Sequence, residues 1–313
     1  MIEKINICPI CKSEDTIPFS ETFDVEYYTS NHNYQYSECR SCNVIFLIDP
    51  PVGRLDEIYP NTYYAVEGPS SNSSWLMSKL QYAKSKIEKR LFSSCLKNIS
   101  GKNLSCLDIG GGAGWVMNMV READKRVSTT TVLDINLNSK ELAETNGHKF
   151  ICDLVESISI KDEFDFVIML NLIEHVKDPR SVLISTYNAM KENGLLLVKT
   201  PNTKSLNRIL FKNSYWGGLH APRHWVLFNK MNFLALVKEC GFSLEFIRYT
   251  QGAPQWAASI IGSRRLQYGY ITSGMPIYTD KLFAPLNLIF ALIDYLTLPF
   301  LGADQMIILI RKK

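Results

Sequence analysis

Between an apolar run at Leu104–Ile109 and an amphipathic stretch at Trp115–Ala123 the chain carries Gly110-Gly111-Gly112-Ala113-Gly114. Glycines at alternate positions, where a strand gives way to a helix, let the backbone turn tightly and approach a bound group closely. The unpaired N–H groups of the helix start favour a carboxylate or phosphate there. Further apolar runs follow at Ser128–Leu133, Lys149–Cys152, Phe164–Leu170 and Leu195–Lys199, with amphipathic stretches such as Pro179–Lys191 between them. This alternation predicts a parallel sheet covered by helices on both faces. After Leu227 a helix is expected, with Asn229 as N-cap and Gly241 as its stop. Two more strands follow at Ser243–Thr250 and Gln305–Arg311, separated by an insert at about 251–302.

Composition narrows the partners. Of 313 residues, 46% are apolar and 21% charged, which excludes a disordered or collagenous chain. The 34 basic and 31 acidic residues leave a net charge of +3, too small an excess for a general nucleic-acid binder, and no DNA partner is expected. No solenoid-length repeat is visible. The opening MIEKINICPICKSED lacks the apolar core of a signal peptide, so the expectation is a cytoplasmic protein with reduced thiols.

Cys8-Pro-Ile-Cys11 and Cys39-Arg-Ser-Cys42 form two C-x2-C pairs. Two such pairs can bring four thiolates to the corners of a tetrahedron, which suits Zn²⁺; four protein ligands leave no open position for catalysis. The metal would hold together a small module with little core of its own. Cys95, Cys106, Cys152 and Cys240 read as core fillers.

A Gly-x-Gly-x-Gly loop alone could serve NAD, a flavin or S-adenosylmethionine (SAM). Its surroundings add acids at strand ends: Asp108 before the first glycine, Asp134 after the second strand and Asp153 after the third, with Asn171 closing the fourth. With LDIGGGAG, LDIN, CD, FDFVIMLNLIEHVKDP and GLLLVKTPN in this order, residues 104–313 resemble the class I SAM-dependent methyltransferases. The leader CPIC…CRSC…FLIDPP…YPNTYY resembles the zinc-bearing leader of some bacterial methyltransferases of sugar, surface-glycan and secondary-metabolite pathways, and is similar to that of sugar C-methyltransferases. The resemblance implies an α/β Rossmann-like sheet of seven mostly parallel strands whose last strand is antiparallel, preceded by a zinc-ribbon-like module at 1–60 and a linker with a long helix at 61–103. It implies that Gly110, Gly112 and Gly114 cradle SAM, Asp108 meets its amino group, Asp134 its ribose, Asp153 its adenine, and Asn171 its methionyl arm. Tyr64, beside Tyr63, would close over it.

Methyl transfer is an in-line displacement in which positioning supplies much of the rate, and a base is needed only where the acceptor must lose a proton early. Tyr215-Trp-Gly-Gly-Leu-His220-Ala-Pro-Arg223-His224 follows the fifth strand and concentrates candidate groups. His224 is the first choice for base, His220 the second base or acceptor ligand, and Tyr215 a further catalytic candidate. Arg223 could clamp a phosphate or carboxylate. His175 reads as structural or acceptor-facing.

Leu76, Leu80, Ala83, Ile87, Leu91, Cys95 and Ile99 form one apolar helical stripe, with Lys79, Lys84, Lys86, Lys89, Arg90 and Lys97 on the other faces. Those cations form either a solvated face or a contact to an anionic acceptor or lipid headgroup. Leu282–Leu301 is long and apolar, but Pro285, Asn287, Asp294 and Pro299 interrupt it, and a span there would sever the last strand from its sheet. The remaining readings are a peripheral contact of 282–301 with the inner face of the membrane, a cover over the acceptor pocket, or an oligomer contact. The leading expectation is a SAM-dependent methyltransferase acting on a small-molecule acceptor: a sugar, glycan intermediate or lipid-linked precursor. An RNA methyltransferase using the zinc module and a noncatalytic SAM-binding or zinc scaffold protein stand as alternatives.

Overall fold

The structure, a computed structural model, describes residues 6–60, 75–267, 275–301 and 303–313. The expected linker, with Tyr63 and Tyr64, lies outside the described residues. The N-terminal part holds strands β1 (Thr16–Thr22), β2 (Tyr34–Cys39) and β3 (Ile45–Leu47), a short α1 (Leu55–Ile58) and a long α2 (Trp75–Leu96). Then come β4 (Leu104–Ile109), α3 (Trp115–Ala123), β5 (Val127–Leu133), α4 (Lys140–Thr145), β6 (Lys149–Ile151), β7 (Phe164–Leu170), α5 (Pro179–Ala189), β8 (Met190–Pro201) and α6 (Leu206–Leu210). The chain closes with β9 (Val226–Leu227), α7 (Lys230–Glu239), β10 (Phe242–Thr250), α8 (Ala253–Gln267), α9 (Phe283–Leu301) and β11 (Gln305–Lys312).

Seven strands form the main sheet in the order β10-β11-β8-β7-β4-β5-β6, and β11 runs antiparallel to both its neighbours, as expected. Strand periodicity sorts the core into two faces. Cys106, Phe166, Ile168, Leu195, Leu197 and Leu309 pack with α2 and α3, while Leu107, Val167, Met169, Leu196, Val198 and Ile308 pack with α5 and α7. β8 starts earlier than Leu195 because Met190 already pairs with Phe164. Asn229 caps α7 through a reciprocal box with Asn232, and Gly241 follows the helix with φ +92°.

Among the described side chains of the stripe, burial comes at the C-terminal end of α2 and just past it. Cys95 and Ile99 join the core, but Ile87 is 67% exposed and Ala83 also faces outward. Lys84 and Lys89 pair with Glu88 and Glu122, which favours the solvated-face reading of those two cations. Cys152 departs from the core-filler expectation: it sits exposed just past β6, where the strand has already left the sheet.

β1, β2 and β3 form a second, antiparallel sheet, and β9 completes it by pairing Ile45 with Leu227 and Phe46 with Val226. The N-terminal module thus takes its fourth strand from the segment that follows α6. Tyr36, Ile45, Phe46 and Leu47 also join the α5/α7-side core of the main sheet. The insert folds as α8 and α9 side by side. The Trp256 ring stacks on Phe290 at 4.7 Å, and Asp294 accepts from Gly252 N and Trp256 Nε1. Among the described residues no helix is long and apolar enough to cross a membrane.

Candidate active site

Parallel β4, β5, β6 and β7 end on the same edge of the sheet, so the residues after them share one crevice. Gly110, Gly112 and Gly114 all have positive φ, and Gly114 N-caps α3. A Cβ at Gly114 would lie 2.3 Å from His148 Cδ2, so only glycine fits. Asp134 straps the loop: Oδ2 accepts from Gly112 N and Oδ1 from Asn136 N, both at 2.8 Å. Asp108 is 2% exposed and its Oδ2 has no hydrogen-bond partner; burial, with the Asp134 charge second, pushes its carboxyl up to about 8. A Cβ at Gly111 would sit 2.5 Å from that oxygen, so the missing side chain leaves the carboxylate open toward the loop. A buried, unsatisfied acid behind the glycine loop fits a ligand that carries an ammonium group. Asp153 is exposed and accepts from Leu154 N, while Asn171 is exposed with φ +52°.

The loop from Tyr215 to His224 packs beside the end of β7, and the N-terminal module supplies its partners. Glu26 bridges two of them: Oε1 accepts from Tyr215 OH at 2.6 Å and Oε2 pairs with His220 Nδ1 at 2.7 Å. Burial, with the Glu26 charge second, holds the Tyr215 hydroxyl far above its ordinary range. Arg223 is not a clamp for an acceptor anion. It pairs with Asp24 at 2.8 Å, donates to Ile58 and Ala221 carbonyls, and lies 4.3 Å from the centre of the Tyr27 ring. Tyr36 OH donates to the carbonyls of Leu219 and His224 and fixes the loop backbone. Behind the loop, Ser259 Oγ on α8 accepts from Gly217 N at 2.8 Å.

Three histidines converge at the end of β7. The His175 and His224 rings meet edge to face at 4.6 Å between centroids, and His220 lies 5.0 Å from His224. His224 Nδ1 bonds to Gly218 O and His175 Nδ1 to Tyr59 OH. Burial drives both below the ordinary histidine range, His175 to about 3. Glu174 is fully buried, holds Thr200 Oγ1 through Oε2, and is pushed up to about 8 by burial.

The four cysteines of the leader also converge. Cys8 and Cys42 sulfurs lie 3.6 Å apart, Cys11 and Cys39 sulfurs 3.5 Å, and all four lie within 4.8 Å of one another. The two knuckles repeat one turn: the N–H of Lys12 donates to Cys8 O and that of Asn43 to Cys39 O, both residues at φ near +60°. Sulfurs at about 2.3 Å from a tetrahedral zinc stand roughly 3.8 Å apart, so the donor set fits Zn²⁺.

Residues 78–245, more than half of the chain, match the family described as "Methyltransferase domain". The chain belongs to this family. Among curated relatives, this methyltransferase is 32% identical over 112 residues to the ubiquinone biosynthesis O-methyltransferase of Rhodopseudomonas palustris (strain BisB5), covering 33% of this chain and 44% of that protein. It is 31% identical over 121 residues to the mitochondrial ubiquinone biosynthesis O-methyltransferase of Schizosaccharomyces pombe, covering 36% of this chain and 42% of that one. The chain therefore spans less than half the length of these relatives. Among solved structures, geranyl diphosphate methyltransferase in complex with SAM matches with a TM-score of 0.50 at 10% identity, covering 78% of this chain and 93% of that one; this likeness is one of fold.

Sequence reading of the methyltransferase did not single out Asp24, Glu26, Tyr59 or Glu174. A signal existed for two of them: Asp24 and Glu26 alternate with Phe23, Val25 and Tyr27, and acids in so apolar a run require buried partners. Their partners stand 199 and 194 positions away, and no local pattern encodes that distance.

Proposed function

We propose that this methyltransferase transfers a methyl group from SAM to a hydroxyl-bearing small molecule, a sugar, glycan intermediate or lipid-linked precursor, with structural zinc in the Cys8, Cys11, Cys39 and Cys42 site. The observation that carries this reading is the meeting of the glycine-loop crevice with the histidine cluster at one edge of the sheet. Bound SAM supplies a methyl carbon on a sulfonium, already electrophilic. Asp108 would hold the amino group of the donor and Asp134 its ribose, and the side-chain-free backbone of Gly110, Gly112 and Gly114 would let the donor approach closely, their N–H groups being given to Leu133 O, Asp134 Oδ2 and Gly111 O. Asp153 and Asn171 line the same edge and would meet the adenine and the methionyl arm.

His220 would take the acceptor proton, with its ring held at Nδ1 by Glu26. A carboxylate behind Nδ1 fixes the tautomer and stabilises the charge that forms on the ring. Glu26 and Tyr215 are positioning residues in this scheme. His224, the alternative base, points Nδ1 at Gly218 O and is driven toward its neutral form. The acceptor preference draws support from the relatives named O-methyltransferases.

Calorimetry with SAM and transfer of labelled methyl to fractionated host extract test the reading. Asp134→Ala should weaken SAM binding tenfold or more. His220→Gln should abolish turnover and keep SAM affinity. Label in the lipid or small aqueous fraction is the expected result. Label in macromolecules alone, or SAM binding without any transfer, would overturn it.

A further inference from the structure

Glu174 Oε1 is buried and has no hydrogen-bond partner. It faces His224 Nε2 at 3.9 Å, where the side chains are 0% and 8% exposed. The His224 tautomer is set from outside: Gly218 O can only accept, so Nδ1 carries the hydrogen and the neutral ring presents its Nε2 lone pair to the carboxylate. With Glu174 ionised, as a metal ligand must be, two acceptors confront each other in a dry site. A proton cannot join them, because 3.9 Å is beyond hydrogen-bond reach. An ion with ligands at about 2.1 Å spans that gap with an open ligand–metal–ligand angle.

His175 completes a set. One ligand atom each from Glu174, His175 and His224 lies within 4.8 Å of the others. His224 Nδ1 is tied to Gly218 O outside the set, the arrangement that orients a metal-bound imidazole, and Tyr59 OH holds His175 Nδ1 in the same way when the hydroxyl accepts. Glu174 Oε2 is likewise anchored by Thr200. We propose that Glu174, His175 and His224 bind a first-row divalent cation, distinct from the four-cysteine site. Two imidazoles and one carboxylate are borderline donors that suit Co²⁺, Fe²⁺, Mn²⁺ or Zn²⁺, and they leave positions open for an acceptor with adjacent oxygens. Cation binding stands independently of the methyl-transfer reading. Its proposed role as an acceptor ligand rests on that reading.

Co²⁺ is the probe, added to full-length protein already holding one zinc per chain. The expected result is one further equivalent of Co²⁺, with imidazole scattering and no sulfur shell at the cobalt absorption edge. Glu174→Gln and His224→Asn should each weaken it a hundredfold or more, and Tyr59→Phe about tenfold, with SAM affinity unchanged as the control for folding. No equivalent beyond zinc, a sulfur-only cobalt shell, or undiminished binding in both ligand variants would overturn the proposal. The wild-type edge spectrum decides even if the variants fail to fold. Loss of methyl transfer with cobalt binding intact would instead count against the function proposed above.

Discussion

Asp24 and Arg223 form an ion pair, Oδ2 to Nη2 at 2.8 Å, in which neither side chain keeps any exposed surface. It joins the N-terminal module to the loop that carries His220 and His224. Burial alone would raise the Asp24 carboxyl, but the Arg223 charge and hydrogen bonds outweigh it and hold the group below its ordinary value.

Removing one partner strands the other charge in the interior. Arg223→Met should destabilise the fold by about 3–5 kcal/mol, and Asp24→Asn by a similar amount. The double variant should lose less than the sum, because the second change removes the stranded charge. Urea denaturation of the four proteins checks this; additive losses would refute the coupling.

Asp108 makes stability depend on pH. Its carboxyl sits at about 8 in the folded chain and near its ordinary value of about 3.9 when unfolded. Between these values the folded chain holds a proton that the unfolded chain has released. The contribution is therefore full below the unfolded value and lost as pH rises toward about 8. Asp108→Asn should flatten that decline, read as melting temperature from pH 5 to 8. SAM binding near neutral pH should release a proton in the parent and none in the variant, measured by calorimetry in buffers of different ionisation enthalpy.

Glu26→Gln tests the carboxylate behind His220. The change keeps shape and removes charge, so kcat should fall about a hundredfold. KM for SAM and the melting temperature should change little. Equal loss of SAM affinity would make Glu26 a folding residue instead. Tyr215→Phe should follow with a smaller drop, since it removes one of two bonds to the same carboxylate.

Chelation tests the cysteine knuckles. Stripping zinc, or Cys39→Ser, should loosen β1, β2 and β3 and expose the chain before α1 to proteolysis. Because β9 pairs with β3, the acceptor loop should become accessible too. Metal analysis should return one zinc per chain in the four-cysteine site, and an unchanged digestion pattern after chelation would count against a structural metal.

Strand placement in the main sheet was legible in the sequence. β4, β7 and α3 fall on their expected bounds because a half-buried strand or helix must repeat its apolar residues at its own period. The glycine loop was equally legible, since positive φ at Gly110, Gly112 and Gly114 admits few other residues. The cysteine spacing announced four sulfurs that do converge.

What tertiary structure decided is which side chains meet across the N-terminal module. The sequence by itself marked Tyr215, His220, Arg223 and His224 as polar groups in an apolar loop. It could not say that Glu26 would take Tyr215 and His220, that Asp24 would neutralise Arg223, or that Glu174 would face His224. Periodicity reports the face of an element, which is local. Partnership between buried charges is set by how two sheets dock, and that depends on pairings such as Ile45 with Leu227 between residues far apart in the chain.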